Sequence, residues 1–337
     1  MSTVSFRGLS TRTSLVACLL WLIVLVRFSW AAPPVFDLPV KCSPGRDCVV
    51  QNYFDHDPGP AFSDYTCGSL SYNGHDGTDI RLLDLAAMRR SFAVLASAAG
   101  VVVAVRDGEP DVDVRARGRK ALKGRYAGNS VRVDHGDGWE TQYSHLQRGS
   151  VLVRPGQKVA SGELLGYVGL SGDTEFPHVE FRVSRYGKAV DPFYPVSGKC
   201  GLHQDMLWSE AAASQLSYRA GGLLISGFSS AVPIQENAES GAYAFKEINA
   251  DAVALIYWVE LFGLRRHDRL VMELFAPDGR RLAHSDRSIP DNKALWFAYA
   301  GKKRTLPKWP TGVYKAVFRL ERYNLVMATG QQLLTVR

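Results

Sequence analysis

The chain has 337 residues, 46% of them hydrophobic, and carries 40 Lys and Arg against 33 Asp and Glu, a formal net charge of +7. That length and apolar content exclude a disordered polymer and allow more than one hydrophobic core. The mild basicity suits an anionic envelope polymer, and no arginine-aromatic pattern argues for nucleic acid as a partner.

In chain order, Arg7 and Arg12 precede an apolar run from Leu15 to Val26, with no acidic residue before Asp37. Ser29-Trp30-Ala31 then supplies small residues at the spacing of a cleavage site. Residues 1–31 therefore read as a secretory signal peptide cut after Ala31. The apolar run is shorter than the roughly 20 residues a spanning helix needs, so no stable membrane span is expected after cleavage. The expected location is periplasmic or secreted. Cleavage removes Arg7, Arg12 and Arg27 and no acid, leaving 37 basic and 33 acidic residues, a net charge of +4. Cys42, Cys48, Cys67 and Cys200 remain, an even count that favours disulfides in an oxidising compartment. Three pairings are open; the preferred one joins Cys42 to Cys48 and Cys67 to Cys200. Residues 32–66 form an N-terminal segment rich in Pro, Asp and Gly without a clear period. Within it, Asp55-His56-Asp57-Pro58-Gly59-Pro60 reads as a turn with solvated charges.

Residues 67–198 carry the residues with chemistry. His75 and Asp79 stand four apart, with Gly77 between them to permit a tight turn. Strands are expected at 92–96 and 100–105. A long charged connection, 107–129, reads either as a functional loop or as a surface insertion. Ser130–His135 and Trp139–His145 make a hairpin around Gly136-Asp137-Gly138. Along its second strand Trp139, Thr141, Tyr143 and His145 share a face, expected to look onto the groove. His135, beside the turn, reads as structural. His178 to Ser184 alternates: His178, Glu180, Arg182 and Ser184 on one face, Val179, Phe181 and Val183 on the other. Imidazole and carboxylate held side by side, with His75 and Asp79, make the donor set of a zinc site.

Residues 199–220 read as a linker with a short helix near 209–216. Beyond it, strands are expected at 253–261, 270–276, 295–300, 313–320 and 333–336, with Pro277-Asp278-Gly279 as a turn. Short strands at this spacing suggest an Ig-like β-sandwich over 221–337, with no catalytic constellation of its own. Its expected role is binding, to glycan, to an envelope protein partner or to the first domain.

The order His75…Asp79, then Tyr143-Ser144-His145-Leu146, then His178-Val179-Glu180 resembles the zinc-dependent peptidoglycan endopeptidases related to lysostaphin, the M23 peptidases. Gly128 to Gly136 and Val153-Arg154-Pro155-Gly156-Gln157-Lys158-Val159 also resemble the family, over roughly residues 60–196. The resemblance implies an all-β fold, a compact lysostaphin-like half-barrel peptidase domain followed here by the sandwich. It implies Zn2+ as cofactor, His75, Asp79 and the residue at 180 as ligands, and His145 and His178 as catalytic histidines. Where the family has its third ligating histidine, this chain has Glu180. Two carboxylates neutralise a dication, so bound water is less acidified than beside neutral imidazoles. The function implied is hydrolysis of peptide cross-links in peptidoglycan stems. The alternative is a catalytically inactive relative that binds peptidoglycan or regulates another cell-wall hydrolase. Arg182, on the same strand face, is placed to pair with Glu180 or with Asp79; a salt bridge to Glu180 would leave the site closed and empty.

Overall fold

Alternation along 178–185 builds the strand on which the first sheet is centred. The computed structural model describes residues 1–5, 32–196, 200–201 and 205–337; the expected signal peptide falls almost wholly outside the described residues. Ten strands come first in the chain: β1 (Cys48–Asn52), β2 (Thr78–Leu82), β3 (Ala93–Leu95), β4 (Gly100–Arg106), β5 (Asn129–Gly136), β6 (Trp139–Leu146), β7 (Lys158–Val159), β8 (Leu164–Tyr167), β9 (His178–Arg185) and β10 (Lys188–Val190). Eight form one sheet in the order β1-β2-β9-β6-β5-β4-β7, with β10 also on β9, and β3 pairs with β8. All the pairings are antiparallel. Val179, Phe181 and Val183 are buried in the core beneath β9, as the alternation requires.

The first core recruits chain from both sides of the hairpin region. Phe36 donates its backbone N–H to Leu207 O at 2.7 Å, and Ser209 N returns to Phe36 O at 2.8 Å. Trp208 then packs its ring 5.3 Å from that of Phe181. Ser209 caps the helix Glu210–Gln215 through its hydroxyl to Ala212 N, and Ala212 and Leu216 are buried in the same core. The 32–66 segment contains β1, which is short, buried almost throughout and paired to β2 with a bulge at Gln51, so it shows no period of its own. Its Asp55-His56 step is not a solvated turn. His56 Nε2–H donates to buried Asp191 Oδ2 at 2.7 Å, and Asp55 accepts from the backbone of Asp57, Ser63 and Gly74. The proline-rich text makes the turn, but the side chains point inward because buried backbone amides need acceptors.

The remaining strands are β11 (Gly222–Ser229), β12 (Glu247–Ile248), β13 (Ala254–Leu264), β14 (Arg269–Phe275), β15 (Arg281–Ser288), β16 (Lys293–Lys303), β17 (Gly312–Arg322) and β18 (Leu325–Val336). They form a three-stranded sheet, β11-β13-β16, and a five-stranded sheet, β12-β18-β17-β14-β15. Both contribute to one second core, with Leu255, Tyr257 and Val259 from the first and Met272, Tyr314, Phe318 and Leu334 from the second. Leu224 of β11 and Phe262 of β13 pack instead into the first core. Close by, the buried Arg322 guanidinium pairs with Asp268 at 2.8 Å and donates to Ala220 O and Gly263 O.

The disulfides are Cys42–Cys48 and Cys67–Cys200, with sequence separations of 6 and 133 residues. On loop entropy the long bridge stabilises by about 5 kcal/mol and the short one by about 2.4. Chemical denaturation of Cys→Ser pairs is expected to rank them in that order, with loss of Cys67–Cys200 lowering the midpoint more.

Candidate functional site

Register places the site. Asp79 of β2 stands directly opposite Glu180 of β9, and Glu180 stands opposite Ser144 of β6 on the other side. His75 lies just ahead of β2, at the end of a turn that includes Gly74 in the left-handed region at φ 78°. Gly77 lets this stretch pass close to β9: a Cβ there would fall 2.9 Å from Glu180 Cγ. One donor atom each from His75, Asp79 and Glu180 lie within 4.8 Å of one another, and all three residues are buried or nearly so. His75 Nε2 is 3.4 Å from Asp79 Oδ1, and His75 Nδ1 is 4.0 Å from Glu180 Oε1. Buried His75 Nε2 makes no hydrogen bond. These are the three residues that could hold a metal ion. Asp79 Oδ2 accepts from Asn52 Nδ2 of β1 at 2.8 Å.

Two further imidazoles close on this cluster, their rings 4.5 Å apart. His178 Nε2 lies 3.5 Å from Asp79 Oδ1, and His145 Nε2 lies 3.5 Å from Glu180 Oε2. Each ring is oriented from behind. A carbonyl oxygen only accepts, so His145 Nδ1–H donates to Ser171 O at 2.7 Å. Likewise His178 Nδ1–H donates to Phe176 O at 3.0 Å, with Thr174 Oγ1 at 3.1 Å. Both rings thereby direct Nε2 at the carboxylates.

His145 reaches the site in an unexpected way. Thr141 and Tyr143 pair opposite Val183 and Phe181, so the face expected to carry His145 is the core face, and Tyr143 is fully buried there. His145 itself has φ 64°, in the left-handed region, and this turns its side chain to the Glu180 side. Its backbone N–H is held by Ala127 O at 2.9 Å. Such a conformation costs a non-glycine residue about 1 kcal/mol or more and persists only where neighbours fix it.

Arg182 pairs with Asp76, Nε to Oδ2 at 2.7 Å, and not with Glu180 or Asp79. The donor cluster is therefore not closed by a guanidinium. Burial works to raise the Asp79 carboxyl, but His75, His178 and Asn52 outweigh it and hold it below its ordinary range. Glu180 is likewise lowered, His145 overcoming burial. Burial disfavours His145 protonation, yet the Glu180 carboxylate and the Ser171 carbonyl raise its pKa above the usual value.

The long connection is anchored. Asp107 accepts from the backbone of Gly149 and Val151, and Asp111 from Arg148 and Leu170. It contains a short helix, Val114–Arg117, and a 3-10 turn, Arg119–Leu122. Fully buried Asn129 donates to Glu109 O and Leu146 O, and its backbone N–H goes to Ser171 Oγ. The connection and the 170–177 loop thus meet beside His145. His135 is structural, bonded to Ala99 O and Thr141 Oγ1. Sequence reading missed Asn52, Thr174 and Tyr72, whose half-exposed ring stacks on His75 at 4.4 Å. Tyr72 is three residues ahead of His75 and was within reach of local inspection; Asn52 was not.

Residues 73–192 match the model of Peptidase family M23. The chain is 33% identical over 117 residues to "Peptidoglycan DD-endopeptidase ShyA" of Vibrio cholerae, covering 35% of this chain and 22% of that protein. It is 35% identical over 95 residues to "DD-carboxypeptidase/endopeptidase Mpg" of Neisseria meningitidis, covering 28% and 21%. The chain thus spans less than a quarter of the length of these relatives. Among solved structures, the catalytic domain of lysostaphin from Staphylococcus simulans is 20% identical, with 42% of this chain and 85% of that chain covered and a TM-score of 0.27.

If the three donors hold a metal ion, Gly77→Ala, by displacing Glu180, is expected to weaken its binding about tenfold while the fold is retained; calorimetric titration of the purified protein with zinc would measure it.

Proposed function

Because residues 73–192 are a domain of peptidase family M23, we propose that this chain is an exported zinc metallopeptidase that hydrolyses peptide cross-links of peptidoglycan. One observation carries the reading: His75, Asp79 and Glu180 offer three donors to one point, with His145 and His178 beside them. The relatives named as peptidoglycan endopeptidases support the substrate class.

The donors suit zinc, which accepts imidazole nitrogen and carboxylate oxygen and, in catalytic sites, takes three protein ligands. The buried, unbonded Nε2 of His75 fits a role as ligand. Bound there, the ion supplies Lewis acidity toward a carbonyl and a water. Asn52 fixes the second oxygen of Asp79 and so sets the plane of that carboxylate. His178, with its Nδ1 proton committed to Phe176 O, presents Nε2 as a proton acceptor and is the general base. His145, with Nδ1 held by Ser171 O and Nε2 directed to the Glu180 side of the cluster, is the group that gives a proton or a hydrogen bond to developing negative charge. Arg182, tied to Asp76, leaves Glu180 to the metal.

Zinc content of the mature protein tests the reading. About one zinc per chain is expected, with none after Glu180→Ala, and loss of peptidoglycan cutting along with it. His178→Ala is expected to keep the zinc and to lower turnover by about 10²–10⁴-fold. Absence of zinc in both proteins, even after incubation with excess metal, would overturn it.

A further inference from the structure

Apart from its Nε2, which faces Glu180, His145 is held at three points. Its backbone N–H donates to Ala127 O at 2.9 Å, and its Nδ1–H donates to Ser171 O at 2.7 Å. The third point is the carbonyl of the next residue. Leu146 O accepts from Ser171 Oγ at 2.7 Å and from Asn129 Nδ2 at 3.0 Å. A non-glycine residue at φ 64° keeps that conformation only where its surroundings over-determine it. Ser171 supplies two of the restraints and Asn129 a third.

The two residues are also locked to each other. Both are fully buried. Ser171 Oγ accepts from Asn129 N at 2.9 Å, so one hydroxyl gives its proton to Leu146 O and takes a hydrogen bond from β5. Gly128, at φ 58°, permits the approach: a Cβ there would fall 2.3 Å from Ser171 O. On its other side Asn129 holds the start of the long connection. Nδ2 donates to Glu109 O at 2.9 Å, and Oδ1 accepts from Glu109 N at 2.8 Å. The Glu109 carboxylate then pairs with Arg117 and Arg125, further along the same connection. Asp111 Oδ1 accepts from Leu170 N at 2.8 Å, and Asp111 forms an antiparallel bridge with Ser171. Both amide protons and the oxygen of Asn129 are thus used on backbone groups, which a shorter side chain would leave unpaired. Of the two readings of 107–129, functional loop or surface insertion, these bonds favour the first: the connection braces His145.

We propose that Asn129 and Ser171 are positioning residues for His145, and that the 107–129 connection acts on the site through them. Their hydrogen bonds go to none of His75, Asp79 and Glu180, so the metal-donor cluster is set independently of them. The catalytic consequence rests on the hydrolase reading above; the hold on His145 does not.

The test compares the full-length mature protein with Ser171→Ala, Asn129→Ala and, as a control, Asp134→Asn. Asp134 lies toward the other end of β5 and bonds only to the hairpin turn, at Gly136 N. Hydrogen–deuterium exchange, zinc content and cutting of soluble peptidoglycan fragments are read on each. Ser171→Ala and Asn129→Ala are expected to speed exchange at 144–147 about tenfold, with β13 and β17 unchanged and the control silent. Zinc content is expected to stay at the wild-type value. Turnover per folded molecule is expected to fall about tenfold at nearly constant KM, the signature of a displaced catalytic group and not of lost binding. Ser171→Ala removes one oxygen atom, so it is expected to fold even if Asn129→Ala does not. Unchanged exchange at 144–147 in a folded Ser171→Ala protein would overturn the proposal, whether or not the wild type cuts peptidoglycan. So would a lowered melting temperature with turnover per folded molecule intact, the mark of a structural role alone. A wild type that cuts nothing, with exchange at 144–147 still raised in the variants, would overturn the hydrolase reading alone.

Discussion

Glu180 faces Asp79 across one ladder and Ser144 across the other, and every distance in the site depends on that double register. Side chains on a strand alternate with a period of two. A slip of one residue along β9 would send His178 and Glu180 into the core and bring Val179 and Phe181 to the surface. The register is fixed because the opposite face is packed: Phe181 alone meets Phe36, Tyr143 and Trp208. The apolar face and the polar face of one strand are therefore one constraint. The core selects the alignment, and the alignment assembles the donors.

Charge is distributed around this strand in layers. The donor cluster itself has two carboxylates and one imidazole, with two more imidazoles, His145 and His178, beside it and Arg182 drawn aside by Asp76. Opposite His178 on the neighbouring strand lies a buried cation, Arg81, which donates to Gln51 Oε1 and Leu82 O and lies over the Phe176 ring. Hydrogen bonds and the ring face compensate the buried guanidinium, which is the condition under which such burial is tolerated. Where charge is absent, backbone carbonyls do the orienting, as Ser171 O and Phe176 O do for the two histidines.

Much of this was legible in the sequence where local periodicity is strong. The alternation from His178 to Ser184 gave the strand and its two faces, and Gly136-Asp137-Gly138 gave the hairpin. Strands β13, β14, β16 and β17 were expected within a few residues of where they lie. Legibility failed where pairing is non-local. β1 and β2 are five residues each and buried almost throughout, Arg81 included, so no alternation marks them. β15 is mostly exposed and polar, with only Leu282 and Ala283 against the core, and hides its strand character for the opposite reason. Asp107 and Asp111 hold partners some 37 to 59 residues away, so the long connection looked loose. His145 was assigned to a face by counting, and counting fails at a residue with positive φ. Arg182 was expected to pair with Glu180 or Asp79; its partner is Asp76, which the turn at Gly74 to Gly77 brings alongside β9 and which no periodicity marks.

The Cys67–Cys200 bridge spans 133 residues, and His75, Asp79, His145, His178 and Glu180 all lie between its two ends. A single cut anywhere inside that interval leaves two fragments still joined covalently, with β2 on one side and β9 on the other whenever the cut falls in 107–129. The exposed basic tip of that connection is an obvious target for trypsin-like enzymes. A molecule nicked there keeps the strands on either side of the cut in each other's neighbourhood, and separates into two chains only when a reductant is added. Wherever a protease meets the molecule, this topology converts a break in the chain from a loss of the molecule into a local scar.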